Sequence, residues 1–144
     1  MKRFSFNLEK FLALRKFEEQ EAKTELGRAI GALSEIEQRL RSLAEERSRA
    51  AASQFAPENS AAMIQQYMFY LLRLDSAREQ LCKEAALAEM KVEEARELFR
   101  TAYQNREALD RLKAKREKEY KKEMLAEDTS LTDEIAGSRA ARNR

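Results

Sequence analysis

Residues 22–43 read AKTELGRAIGALSEIEQRLRSL, and the spacing of their apolar side chains decides the fold. Ala22, Leu26, Ala29, Leu33, Ile36, Leu40 and Leu43 step by four and three without a miss. That alternation places one apolar stripe along an α-helix and is the seam of a coiled coil. Extended backward, the seam takes in Leu8 and Leu12, with Arg15 and Glu19 as polar interruptions. The first helix is therefore expected over about residues 7–52, with Asn7 as its N-cap.

Working outward, the stretch SQFAPENS begins at Ser53 and holds the one proline of the chain, Pro57. Proline disfavours helical geometry in the residue before it, and Asn59 or Ser60 can cap a new helix. A tip is expected at about 53–59 and a second helix at about 60–126. The second seam runs through Ile64, Tyr67, Leu71, Leu74, Arg78, Leu81, Ala85, Ala88, Val92, Ala95, Phe99, Ala102, Arg106 and Leu109. It continues in step, but no longer apolar, as Lys113, Arg116 and Tyr120.

A short connection between two long helices makes them antiparallel neighbours. The expected fold is all-α: one long antiparallel coiled-coil hairpin with a longer second helix and a short helical or disordered C-terminal tail. At ~1.5 Å per residue each paired arm is on the order of 70 Å long. The second helix is expected to lose its intrachain partner after Arg106. That overhang, REALDRLKAKREKEYKKEML, carries eight basic and five acidic residues, with neighbouring opposite charges that support an isolated helix. In the tail at 127–144, Ser130 and Asp133 resemble a capping box and Gly137 a stop signal. A short amphipathic turn carrying Leu131 and Ile135 would be followed by a basic, disordered end.

Composition agrees with long helices. Of 144 residues 38% are charged, only three are glycine, and the net charge is +2 with acids and bases interleaved. This balance gives little reason to expect nucleic acid as a partner. One cysteine, Cys82, excludes an intrachain disulfide and suits a reducing compartment. No apolar run approaches the ~18 residues of a membrane span, and Glu9, Lys10 and Arg15 interrupt any signal-peptide core. Catalytic constellations are missing from the sequence. There is no histidine, no phosphate-cradling glycine loop and no cysteine pair for zinc. No enzyme, cofactor, metal or small-molecule ligand is expected. The GRAIG segment, Gly27 to Gly31, matches GxxxG off the seam, where local softening and close approach of a partner are equal readings.

The stretch MIQQYMFYLLRL, residues 63–74, is apolar at nine of twelve positions. Ile64, Tyr67, Leu71 and Leu74 belong to the seam, and Met63, Met68 and Tyr70 can lie over the first helix. Phe69 and Leu72 point away at ~100° per residue, so they should be exposed and form a protein-binding patch near the tip. Packing against a second copy, in a structural homo-oligomeric coiled coil, is an alternative reading. A third is a membrane-surface role for the amphipathic KRFSFNLEKFLALRKF.

The N-terminal pattern Phe4, Phe6, Leu8, Phe11, Leu12, Leu14, Arg15, followed by FEEQEAK, resembles the start of the FliJ family of flagellar export proteins. The ending LTDEIAGSRAARNR is similar to that family's motif, here Leu131, Asp133, Glu134, Ile135 and Ala136 with a basic tail. Length, tip position and charged overhang fit as well, and the stalk proteins of non-flagellar secretion systems are a close second. The resemblance implies a non-catalytic stalk at the cytoplasmic face of the inner membrane, at the flagellar base. Its hairpin ends would contact the hexameric export ATPase, here through Phe4, Phe6, Phe11, Arg111, Lys113, Lys115, Arg116, Tyr120 and Lys122. A surface toward the tip would contact the export-gate membrane protein or export chaperones. The family's gate-binding residues are matched by Leu43, Tyr70, Leu74 and Ala77, with departures at Glu46 and Ala50. Phe69 and Leu72 would shift that patch around the second helix.

Overall fold

The computed structural model describes residues 2–144. Among these there is no strand: the chain forms α1, Glu9–Ser53, and α2, Ala61–Arg142, joined by residues 54–60. The two helices pack as a helical hairpin whose second arm is the longer. The expected fold class is therefore the observed one.

The loop divides its capping between two side chains. The Asn59 side-chain amide donates to the Ser53 and Gln54 carbonyls at 2.7 and 3.0 Å, satisfying acceptors at the end of α1. Ser60 caps α2 instead, its hydroxyl accepting the Met63 backbone N–H at 3.3 Å. Helix α1 carries no basic residue in its last turn, and the Ser53 carbonyl accepts the Ala56 backbone N–H at 3.3 Å as well as the Asn59 amide.

The contacts divide into two compact units, residues 20–100 and residues 1–19 with 101–144. In the first, every apolar seam position from Ala22 to Leu43 is half-buried, facing a stripe that runs through Leu71, Leu74, Leu81, Ala85, Ala88, Val92, Ala95 and Phe99. Few side chains are fully buried (Ala50, Leu74, Ala88 and Val92) because two helices share only one stripe. Arg78, expected in the seam, is exposed; Leu81 at the next seam step is half-buried. A Cβ built on Gly27 or Gly31 meets nothing within 4 Å, so no close approach inside the chain needs either glycine. Gly27→Ala with Gly31→Ala should therefore stabilise the helix by roughly 0.5–1 kcal/mol per site, measured as a higher melting temperature by circular dichroism.

The second unit departs from expectation in three ways, each with a local cause. First, Asn7 is no N-cap. The helix begins at Glu9, whose N–H donates to the Phe6 carbonyl at 3.1 Å, and the Asn7 side-chain oxygen accepts from Arg116 across on α2.

Second, α2 does not lose its partner after Arg106. Residues 2–8 form a non-helical strap, ending in a turn at 7–8, that continues along α2 beyond the start of α1. Tyr120 donates to the Lys2 carbonyl and its ring lies 5.5 Å from that of Phe4. Phe6 is buried, with the Arg116 guanidinium 5.7 Å from its ring centre. The free part of α2 begins only after the half-buried Met124.

Third, α2 does not end near residue 126 but runs to Arg142. Thr129 and Thr132 turn their hydroxyls back to the Leu125 and Asp128 carbonyls of the preceding turn, both at 2.8 Å, as polar residues inside a continuous helix do, and not forward as caps of a new one. Gly137 keeps a negative φ and stays helical. Flanking residues with good helix propensity outweigh one glycine that no left-handed turn claims.

Candidate interaction surfaces

Within residues 20–100 one group of exposed apolar side chains sits on the outward face of α2 just after the loop, and Leu87, Met90 and Leu98 are exposed farther along the same helix. Phe69 and Leu72 are 56% and 57% exposed, as their position off the seam predicts. Met68 joins them at 57%, so it does not lie over α1 as expected; its position on the helix falls beside Leu72 and away from the seam. Phe55, in the loop, is also largely exposed. Sequence spacing could not find it, because periodicity carries no information in a loop.

The positions matched to the gate-binding pattern fall on different sides of the helix pair. Leu74 is buried, Leu43 half-buried and Ala77 open. Tyr70 is half-buried and donates its hydroxyl to Glu46 on α1. That hydrogen bond raises the Tyr70 pKa above the usual phenol value, with smaller contributions from burial and from the Glu46 charge, opposed by Arg49 and Arg73. The sequence departure at Glu46 thus has a structural use: it holds the Tyr70 ring against the helix pair. Met63, Gln66, Tyr67, Phe69, Tyr70 and Arg73 line a shallow groove along this side of α2. Arg73 lies 6.0 Å over the Tyr70 ring at its border.

A cross-helix ion pair sits beside this patch. Arg47 Nε lies 2.6 Å from an Asp75 carboxylate oxygen, with a second, longer contact at 3.4 Å. The hydrogen bond from Arg47 lowers the Asp75 pKa, desolvation opposes it, and the charges of Arg47 and Arg78 lower it further. A carboxyl whose folded pKa is depressed contributes stability that is complete above the unfolded value, about 3.9, and is lost as pH falls through the folded value. Helix pairing near the tip should therefore be insensitive to this group from about pH 7 to 5. Below about pH 4 the wild type should lose stability more steeply than Asp75→Asn, followed by melting across pH.

In the second unit the residues expected at the ATPase divide into two sets. Phe4, Phe6, Lys113, Arg116 and Tyr120 are engaged between strap and helix. Lys113 reaches Glu9 at 2.9 Å, and this hydrogen bond is the main reason its pKa is raised. Phe11, Arg111, Lys115 and Lys122 are exposed. Of these, Phe11 carries the Arg15 guanidinium 4.8 Å over its ring, and Arg111 pairs with Glu107 at 2.8 Å.

Arg106, expected as a polar seam residue, is half-buried and bridges Glu19 at 2.5 Å and Asp110 at 2.6 Å. Its two carboxylate hydrogen bonds raise its pKa. A further outward stripe, Phe11, Leu14 and Phe17, was legible as apolar residues three apart and off the seam, but only Phe11 was singled out from the sequence. Among the described residues no acidic, histidine or cysteine cluster could hold a metal ion, and no helix is long and apolar enough to cross a membrane.

The family model for the flagellar FliJ protein matches residues 4–144, a span that takes in strap, both helices and both surfaces. The chain belongs to the FliJ family. Membership makes it a non-enzymatic component related to flagellar protein export. No curated protein and no solved structure matches the chain.

Proposed function

We propose that this FliJ-family chain is a non-catalytic stalk and adaptor of the flagellar type III export apparatus. It works in the cytoplasm, peripherally on the inner membrane at the flagellar base. Residues 2–19 and 101–122 meet the hexameric export ATPase. The outward patch of Phe69 and Leu72, bordered by Tyr70 and Ala77, meets the export-gate membrane protein or export chaperones, while Leu43 and Leu74 support it from the helix interface. The observation that carries the reading is the family match from residue 4 to residue 144.

The strap refines the division of labour at the ATPase. Phe4, Phe6, Lys113, Arg116 and Tyr120 fix the shape of this region through contacts within the chain. Contact with the ring then falls to Phe11, Arg111, Lys115 and Lys122, whose exposed cations suit an acidic lining. The test is the mass and ATP-hydrolysis rate of the cognate export ATPase, with wild type and with Arg111→Glu, Lys115→Glu and Lys122→Glu combined. Wild type should drive ring assembly and raise the rate, and the triple variant should do neither while keeping its helical circular dichroism. A wild type without effect, or a triple variant as effective as wild type, would overturn the ring role.

A further inference from the structure

The face of α2 that receives α1 and the strap does not end where its partner does. Arg106, Leu109, Lys113, Arg116 and Tyr120 occupy it, and at ~100° per residue Met124, Leu131 and Ile135 continue it. Beyond Met124 every residue is exposed, with Leu131 and Ile135 at 54% and 53%. The charge along this stretch is one-sided. Residues 123–138 hold five acids (Glu123, Glu127, Asp128, Asp133 and Glu134) and no base. Such a helix offers an apolar stripe in an acidic frame, and none of the described residues covers it.

The complementary surface lies in the same unit. Residues 2–17 hold five bases against one acid, and the outward face of α1 there carries Phe11, Leu14 and Phe17, at 43%, 49% and 60% exposure. Lys10 shares that face and Lys16 borders it, both exposed. Glu18, paired with Arg15 at 2.9 Å, and Glu19 end the basic stretch directly after Phe17, and with Glu21 they would repel an acidic helix placed further along α1.

From this charge complementarity we infer that the acidic segment Met124–Ile135 of one copy docks on the Lys10–Phe17 face of a second copy. The contact is reciprocal, each chain giving and receiving one helix in a two-fold dimer. The segment Met124–Ile135 rises about 16 Å and the Lys10–Phe17 face about 10 Å, so the acidic segment is long enough to span that face. On the ring reading proposed above, the dimer would also cover Phe11 and withhold this region from the ATPase. The dimer itself does not depend on that reading.

Reciprocity gives a strict test by sedimentation equilibrium of the full chain at low salt. Wild type should show a concentration-dependent mass rising to twice that of the monomer. Glu127→Lys with Asp128→Lys should weaken the dimer by about tenfold or more, as should Lys10→Glu with Lys16→Glu. Each of these two variants repels its own second copy at both contacts. Mixed together, acid meets base again at both contacts, so the mixture should recover the dimer. Circular dichroism confirms that each variant is folded before mixing. A wild type that stays monomeric at every concentration, variants that dimerise undiminished, or a mixture that fails to pair would each overturn the proposal and assign the acidic face to a different partner.

Discussion

Leu12→Ala should destabilise the pairing of α1 with the region of α2 beyond residue 100 by about 3 kcal/mol. Leu12 is the most buried large side chain, at 1% exposure, and it lies in the first turn of α1, just after the strap. Elsewhere most of the seam is half-buried, and truncating one of its half-buried leucines leaves a gap that water can reach. At Leu12, already out of reach of water, the loss of transfer free energy is joined by the cost of a cavity. The effect should stay local, because the contacts divide at about residues 19 and 101. In native-state hydrogen exchange, amides of 9–19 and 101–120 should exchange about a hundredfold faster, with residues 20–100 little changed. A uniform loss of protection along both helices would show instead that the hairpin opens as one cooperative body.

Phe69→Ser combined with Leu72→Ser should weaken binding of the export-gate protein or export chaperones on the order of a hundredfold. Stability should change by no more than about 0.5 kcal/mol. Both side chains are more than half exposed, so little burial is lost in the free protein. At an interface the same two residues would be desolvated anchors, each contributing about 1–2 kcal/mol. Leu74→Ser is the instructive contrast. It removes a buried seam residue, so it should lower stability and binding together. Calorimetry of binding beside thermal melting separates the two cases. Unchanged affinity in the double serine variant would remove this patch from the partner surface.

The helices and their seam were readable because a two-helix fold writes its one buried stripe directly into the sequence. Every apolar seam position from Ala22 to Leu43 is half-buried, and the outward Phe69 and Leu72 follow from the same angular argument. The strap was not readable. Phe4 and Phe6 alternate with polar residues over a stretch too short to declare a period, and their partners Arg116 and Tyr120 lie more than a hundred residues away. The C-terminal helix was masked by local signals. Ser130, Asp133 and Gly137 look like cap and stop, yet such residues end a helix only when the chain has another structure to enter. Asn59 and Ser60 were both legible as capping residues. Which helix each serves depended on the path of the loop, which sequence pattern does not encode.

On the proposed function the strap region meets the export ATPase and the patch near the loop meets the export gate or a chaperone. Photo-crosslinking tests this arrangement most directly, with a photoreactive phenylalanine analogue placed at Lys115 or Lys122 in one set of proteins and at Phe69 or Leu72 in another. In cells carrying the assembled export apparatus, the first set should capture the export ATPase and the second the export-gate protein or a chaperone. Capture of the ATPase from position 69 or 72, with none from position 115 or 122, would contradict the account.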